Sequence, residues 1–240
     1  ADRDTPRPAV LLIFGGGWMM GGRTEMDTTA QILAQAGYVA FSIDHRLADG
    51  TPEHGWPGQL DDAQRAVRWM RAHAAEYEVD PDRLCSLGWS SGAHLASMLG
   101  VRETRDNADP ELAAYSSRVQ CVVSLSGDMD LSVPQTNAMS DYLVANLLGG
   151  VPADQPAAAR DASPISWVDE EAAAFLIVHG GGDDASLVEP SRRMATALFE
   201  ARVETVYAVL PTAAHDGTNS WSLTGPLILG FLESQVHPAS

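Results

Sequence analysis

The chain has 240 residues, 45% of them hydrophobic, which suits one large α/β domain with a real core. Its net charge is −17 and every one of its 15 basic residues is Arg, so nucleic acid and anionic membrane surfaces are excluded as expected partners. No apolar run reaches the ~18 residues that a membrane span needs.

The opening segment, residues 1–8, has no initiator Met and no apolar signal-like run, so a mature or trimmed product is expected, with its compartment unassigned. The first strand is predicted over 9–14, followed by a helix over 26–36 that Gly37 closes. A second strand follows over 38–43. The strongest amphipathic helix is 59–75, where Leu60, Ala63, Val67 and Met70 form one stripe and Asp61 and Asp62 suit the first turn. A third strand, 84–87, leads into a helix over 93–99. Loops are predicted over 107–116 and 128–141 around a fourth strand at 121–126. The stretch 149–164, rich in Ala, Pro and Asp, reads as a connection with one helical turn. A fifth strand (174–179), a helix (191–200), a sixth strand (206–210) and a helix (221–233) complete the chain.

The strand runs are continuously apolar rather than alternating, as befits a parallel sheet covered on both faces. The expectation is an α/β fold: a single domain, 1–240, with a doubly wound, mostly parallel sheet of about six strands and no large cap domain. Cys85 and Cys121 each sit in a strand run. Neighbouring strands would bring the thiols close, and free thiols without a catalytic role are expected.

Between the third strand and its helix stands Gly88-Trp89-Ser90-Ser91-Gly92. A G-x-S-x-G pentapeptide in that setting describes a nucleophile elbow, a turn so sharp that both flanking residues must be small. A serine nucleophile needs a histidine base, and that histidine needs an acid to fix its tautomer. In open α/β sheets such groups gather at the carboxyl ends of strands. Asp183 follows the fifth strand and His215 the sixth, which selects Ser90, Asp183 and His215 as the catalytic candidates and ranks Asp183 above Asp184. His179 is expected to hydrogen-bond within its loop and His94 to be structural; His45, His54, His73 and His237 have no matching context. At the end of the first strand, Phe14-Gly15-Gly16-Gly17-Trp18 suits an oxyanion hole built from the N–H groups of Gly16 and Gly17, joined by that of Ser91. This loop lacks the Lys and Ser/Thr of a phosphate-binding loop, and it fails the dinucleotide pattern at Met20. Trp18, Trp89 and Trp221 are candidates for the wall of an aromatic-friendly substrate pocket, with packing as their alternative role.

With those residues in view, the chain resembles bacterial esterases of the α/β-hydrolase superfamily, nearest to the hormone-sensitive-lipase-like and feruloyl-esterase-like groups. The resemblance spans nearly the whole chain. Residues 14–22 are similar to the His-Gly-Gly-Gly-Trp oxyanion loop and Asp44-His45-Arg46-Leu47 to an Asp-Tyr-Arg-Leu segment. Residues 60–83 resemble the helix and turn leading to the elbow, and His179-Gly180 with Asp183, Val188, Glu189 and Ser191 resembles the acid loop. Three departures stand out. Phe14 replaces the histidine that braces the oxyanion loop in the family, the loop at Ala213-Ala214-His215-Asp216 lacks its usual glycine, and the first two strands of the family's sheet are missing.

The resemblance implies a serine carboxylesterase acting on small, short-acyl or aromatic esters without metal or organic cofactor. An aryl formamidase or amidase with the same triad, and an inactive hydrolase-fold binding protein, are the alternatives. The partner expected is a small-molecule ester, with a homo-oligomer through the exposed sheet edge as a further expectation. Two readings of the acidity stand side by side: a GC-rich source that replaces Lys by Arg, and adaptation to high salt. Under the second, the melting temperature rises between dilute buffer and molar NaCl; a flat or falling value removes it.

Overall fold

The computed structural model describes residues 5–103, 109–134 and 137–237. Residues 1–4 of the predicted opening segment, 107–108 of the first predicted loop and 135–136 of the second lie outside the described residues.

Among the described residues, six strands form one sheet: β1 (Arg7–Ile13), β2 (Val39–Ile43), β3 (Val79–Trp89), β4 (Cys121–Leu125), β5 (Ala174–Gly180) and β6 (Thr205–Leu210). Their order is β2-β1-β3-β4-β5-β6, and every neighbouring pair is parallel. The continuous apolar runs predict this arrangement because inner strands bury both faces. β4 is buried at every position, whereas β2 and β6, the two edges, are half-exposed.

Among the described residues, seven α-helices flank the sheet: α1 (Asp27–Gln35), α2 (Gly58–Ala72), α3 (Ser91–Val101), α4 (Ala138–Leu148), α5 (Pro156–Asp161), α6 (Ala185–Glu200) and α7 (Trp221–Val236). One apolar layer joins α2, α3 and α6 through Leu60, Val67, Leu95, Leu99, Met194 and Leu198. The opposite layer joins α1 and α7 through Leu33, Ile228 and Leu232. Each such fully buried side chain contributes about 1.5–3 kcal/mol relative to exposure. α3 is buried along its whole length, and Gly100 lets it lie flush on β4, since a Cβ there would stand 2.4 Å from Val122 Cγ2. Among the described residues, no helix is long and apolar enough to cross a membrane.

Two expectations change. The loop predicted over 128–141 ends early, because α4 begins at Ala138. The Asn137 side chain accepts the Ser140 N–H at 2.8 Å as its N-cap, and Gly149, in the left-handed region at φ 73°, closes the helix. The thiols are not free either. Cys85 and Cys121 are register partners on β3 and β4, with Cα atoms 4.6 Å apart on the same face, and they form a disulfide.

At the β2 edge, Phe41 packs edge-on against Trp69 and Tyr77, with centroids 6.2 and 5.4 Å away. The loops that carry the candidate residues leave the other strands of the sheet. β1, β3, β4, β5 and β6 all send their carboxyl ends toward one place.

Candidate active site

The turn from β3 into α3 is as tight as its sequence requires. A Cβ on Gly88 would lie 2.2 Å from Gly92 O, and one on Gly92 would lie 2.2 Å from Ile13 O. The elbow therefore presses against the end of β1, which is where the glycine loop 15–17 starts. Ser90 sits at the apex with φ 55° and ψ −125°, a conformation that non-glycine residues adopt at a cost of about 1–3 kcal/mol. Its N–H donates to Leu125 O at 2.8 Å, which ties the apex to the end of β4.

The loops after β5 and β6 are stitched to each other. Gly181 N–H donates to Leu210 O at 2.8 Å and Gly182 N–H to Ala213 O at 3.0 Å, while Gly180 leaves no room for a Cβ beside Ala213 O. This brings Asp183 under His215. His215 Nδ1 lies 2.7 Å from Asp183 Oδ2, and His215 Nε2 lies 2.9 Å from Ser90 Oγ. The structure thus brings together the three side chains singled out above. The backbone carbonyl of His215 is held from outside by Thr218 Oγ1 at 3.1 Å, with Ser126 Oγ and Trp89 Nε1 each at 3.4 Å.

Asp183 Oδ2 has a second imidazole on it. His179, fully buried at the end of β5, places Nε2 at 2.9 Å from that oxygen and Nδ1 at 2.8 Å from Ser191 Oγ. The loop hydrogen bond expected of His179 therefore falls on the acid itself. Burial opposes ionisation of Asp183, but the hydrogen bonds from His179 and His215 outweigh it and hold the carboxyl well below the usual range. The relation is reciprocal at His215. Burial lowers its basicity, yet the Asp183 hydrogen bond and charge carry the imidazole above its ordinary 6.5.

Asp128, just past β4, joins this group. Burial pushes its carboxyl up to about 6, while the charges of His215 and His179 pull it back. Sequence reasoning missed it, although the rule that functional loops follow strand ends also points to Ser126-Gly127-Asp128.

Two of the glycines after β1 take positive φ, the region that favours glycine. Gly16 has φ 131° and Gly17 φ 59°, and the turn closes with Met19 and Met20 N–H donating to Gly16 O at 3.1 and 3.2 Å. Among the described residues, the N–H groups of Gly16, Gly17 and Ser91 donate to no carbonyl outside regular helix and strand bonding. A Cβ on Gly17 would lie 2.6 Å from both Leu143 methyls, so α4 stands directly over this loop. Asn137 Nδ2 donates to Asp184 Oδ2 at 2.9 Å, which fastens the start of α4 to the acid loop and gives Asp184 a task separate from that of Asp183.

The three tryptophans part company. Trp89 is half-buried between the loops, tilted against His215 with ring centroids 5.6 Å apart and in contact with Gly15. Trp221, at the start of α7, lays its indole over Gly225 and packs half-buried on the second apolar layer. Trp18 does not line a pocket: it is 2% exposed and its Nε1–H donates inward to His94 Nδ1 at 3.1 Å. Its left-handed backbone (φ 62°) turns the indole away from the loop mouth and into the core. Phe14 is also buried and stacks on His45 at 4.6 Å, so it offers the loop no polar brace. Among the described residues, no group of three or more His, Cys, Asp or Glu is placed to hold a metal ion.

Residues 1–198 match the family model described as BD-FAE. The esterase LipC of Mycobacterium tuberculosis is 32% identical over 251 aligned positions, covering 98% of this chain and 60% of LipC. The chain spans between 26% and 60% of the length of curated relatives such as LipC. Among solved structures, an acetyl ester-xyloside bifunctional hydrolase from Caldicellulosiruptor lactoaceticus is 26% identical with a TM-score of 0.82, covering 98% of this chain and 85% of that one. A thermophilic esterase from Thermogutta terrifontis with butyrate bound is 25% identical with a TM-score of 0.82, covering 100% of this chain and 88% of that one.

The elbow contacts yield a first structural test. Gly92→Ala must push Ile13 and Phe14 carbonyls aside, so it is expected to destabilise the chain by about 1–3 kcal/mol, read as a lower melting temperature. A variant that melts with the parent would contradict the close approach described.

Proposed function

This chain belongs to the BD-FAE family, and from that membership and the relay at Ser90 we propose that it is a serine carboxylesterase working through an acyl-enzyme on short-acyl esters. The observation that carries the reading is the pair of contacts on one imidazole, 2.9 Å to Ser90 Oγ and 2.7 Å to Asp183 Oδ2. An Asp beneath Nδ1 keeps the proton there and leaves the Nε2 lone pair facing the hydroxyl, which is the arrangement that general-base catalysis needs.

The chemistry then follows from the geometry. Ser90 Oγ bonds to the ester carbonyl carbon as its proton passes to His215 Nε2. The carbonyl oxygen takes up negative charge and receives hydrogen bonds from the N–H groups of Gly16, Gly17 and Ser91. In such sites one donor is worth about 2.7–4 kcal/mol in the transition state. The carbon–oxygen bond to the alcohol breaks and His215 returns the proton to the leaving oxygen. Water repeats the sequence on the acyl-enzyme, releasing the acid and Ser90.

The preference for short acyl groups rests on α4. Leu143 stands against Gly17, and the Asn137–Asp184 bond holds the helix in that place. A side chain so close to the glycine loop favours small acyl groups, in keeping with the butyrate and acetyl ester in the descriptions of the two solved relatives. Trp89 supplies an aromatic wall at the other side of His215.

A series of p-nitrophenyl esters from acetyl to decanoyl, run beside aryl formamides, checks the reading. Turnover is expected to be highest for acetyl to butyryl, to fall steeply with chain length, and to vanish in Ser90→Ala. Preferential cleavage of the formamides would favour an amidase, and turnover retained by Ser90→Ala would refute the assignment.

The pH dependence has a definite sign. His215 acts only as the neutral base, and its pKa is raised above 6.5 by Asp183. Accordingly kcat/KM should climb with pH through an ionisation above 6.5. Asp183→Asn removes the charge that raises it, so the limb should shift to lower pH while kcat drops by about 10³–10⁴. A limb that stays in place in the variant would show that another group titrates.

A further inference from the structure

We infer that His94 is a positioning residue that sets the spacing between the two halves of the oxyanion hole, acting through its hydrogen bond from Trp18. The inference rests on the Ser90 reading given above and assigns a task to two residues that the mechanism does not use.

The three N–H groups assigned to the oxyanion come from two separate pieces of chain. Gly16 and Gly17 belong to the loop after β1, and Ser91 opens α3. Trp18 is the next residue after the first piece. His94 lies one turn into the second, where its own N–H donates to Ser90 O at 3.0 Å. The bond from Trp18 Nε1 to His94 Nδ1, 3.1 Å long, therefore links the two pieces immediately behind the donors.

The direction of the bond is fixed by its partners. An indole N–H only donates, so Nδ1 of His94 is a bare acceptor. The other ring nitrogen, Nε2, lies 2.6 Å from the carbonyl of Ala162, which only accepts, so Nε2 carries the proton. A neutral imidazole in one tautomer satisfies both neighbours; a protonated ring would set two N–H groups against each other across 3.1 Å. Complete burial pushes this imidazole down to about 4, in agreement with a ring that stays neutral. Trp56 closes the remaining side, its ring 5.6 Å from His94 and its Nε1–H donating to Asp161 Oδ2 at 2.7 Å.

Trp18 also bears a strained backbone, at φ 62°, a conformation that a bulky residue keeps only where its surroundings hold it. Its carbonyl is fixed by Ala48 N–H at 2.8 Å and its indole by His94. A strained residue held at both ends beside Gly17 is suited to keep that amide aimed. The loop needs such a hold, because Phe14, at its other end, presents only a ring face to His45.

The test uses four variants of the whole chain. Trp18→Phe removes the donor and keeps a ring. In His94→Gln the side-chain amide reaches the Nε2 position and serves Ala162 while losing the Nδ1 acceptor. In His94→Asn the carbonyl falls near Nδ1 and restores the acceptor to Trp18. The fourth variant combines Trp18→Phe with His94→Gln. With p-nitrophenyl acetate, each of Trp18→Phe and His94→Gln is expected to lower kcat about tenfold or more with KM nearly unchanged, a fraction of what losing a whole donor costs. The inhibition constant of a trifluoromethyl ketone, whose adduct with Ser90 bears the same oxyanion, should rise by the same factor as kcat/KM falls. The double variant should be no worse than either single one, since both break one bond. His94→Asn should recover most of the rate.

A role in packing alone would lower the melting temperature and leave kcat and ketone affinity of the folded protein in place. That result, or losses that add in the double variant, would overturn the inference. Wild-type protein that turns over no ester would instead overturn the esterase reading, and with it this one.

Discussion

One carboxylate oxygen holds the candidate site together. Asp183 Oδ2 lies 2.7 Å from His215 Nδ1 and 2.9 Å from His179 Nε2, and its side chain is only 6% exposed. A buried carboxylate is costly unless hydrogen bonds replace its water, and two imidazoles supply them. His179 comes from the end of β5 and His215 from the loop after β6, so the same oxygen ties two neighbouring strand ends. The lateral stitches between the loops, from Gly181 and Gly182 to Leu210 and Ala213, make that closeness possible. With Asp183 so placed, His215 has one orientation left, and it points to Ser90.

Three of the five non-glycine residues with positive φ among those described fall in the same region, the other two being Glu78 and Arg202. Ser90, Trp18 and Ser126 all carry positive φ without being glycine, and each lies at the carboxyl end of β1, β3 or β4. Strain of this kind persists only where the surroundings over-determine it. Here the surroundings are buried helix α3 on one side and the mutual contact of Gly88, Gly92 and the end of β1 on the other. Most of the stabilising burial lies deeper, in the two apolar layers on either face of the sheet, so the site can hold a costly backbone without endangering the fold.

Much of this architecture was legible in the amino-acid order. Continuous apolar runs announced all six strands because a doubly covered parallel sheet has no polar face to alternate with. Gly88 and Gly92 announced the elbow because the contact distances there exclude any side chain. Asp183 and His215 stood out because they follow strands five and six. What escaped was whatever depends on side-chain direction. Trp18 looked like a pocket wall from its neighbours in the chain, but a positive φ turns it inward to His94. The cysteines looked like free thiols because nothing in one strand reveals the register of the next. α4 was half missed although its signals were present: Asn137 as a cap, Leu143, Val144, Leu147 and Leu148 at helical spacing, and Gly149 as a stop. Asp128 reads from the sequence only as the start of the loop 128–141, since nothing in the chain order shows how close it comes to His179 and His215.

The most direct test of the central claim is mass-spectrometric mapping after treatment with a reactive organophosphonate, comparing the wild-type chain with His215→Ala. The account predicts a single adduct, on the peptide bearing Ser90, formed rapidly in the wild type and lost when the imidazole is removed. An adduct on another serine, or equal labelling of Ser90 without His215, would contradict it.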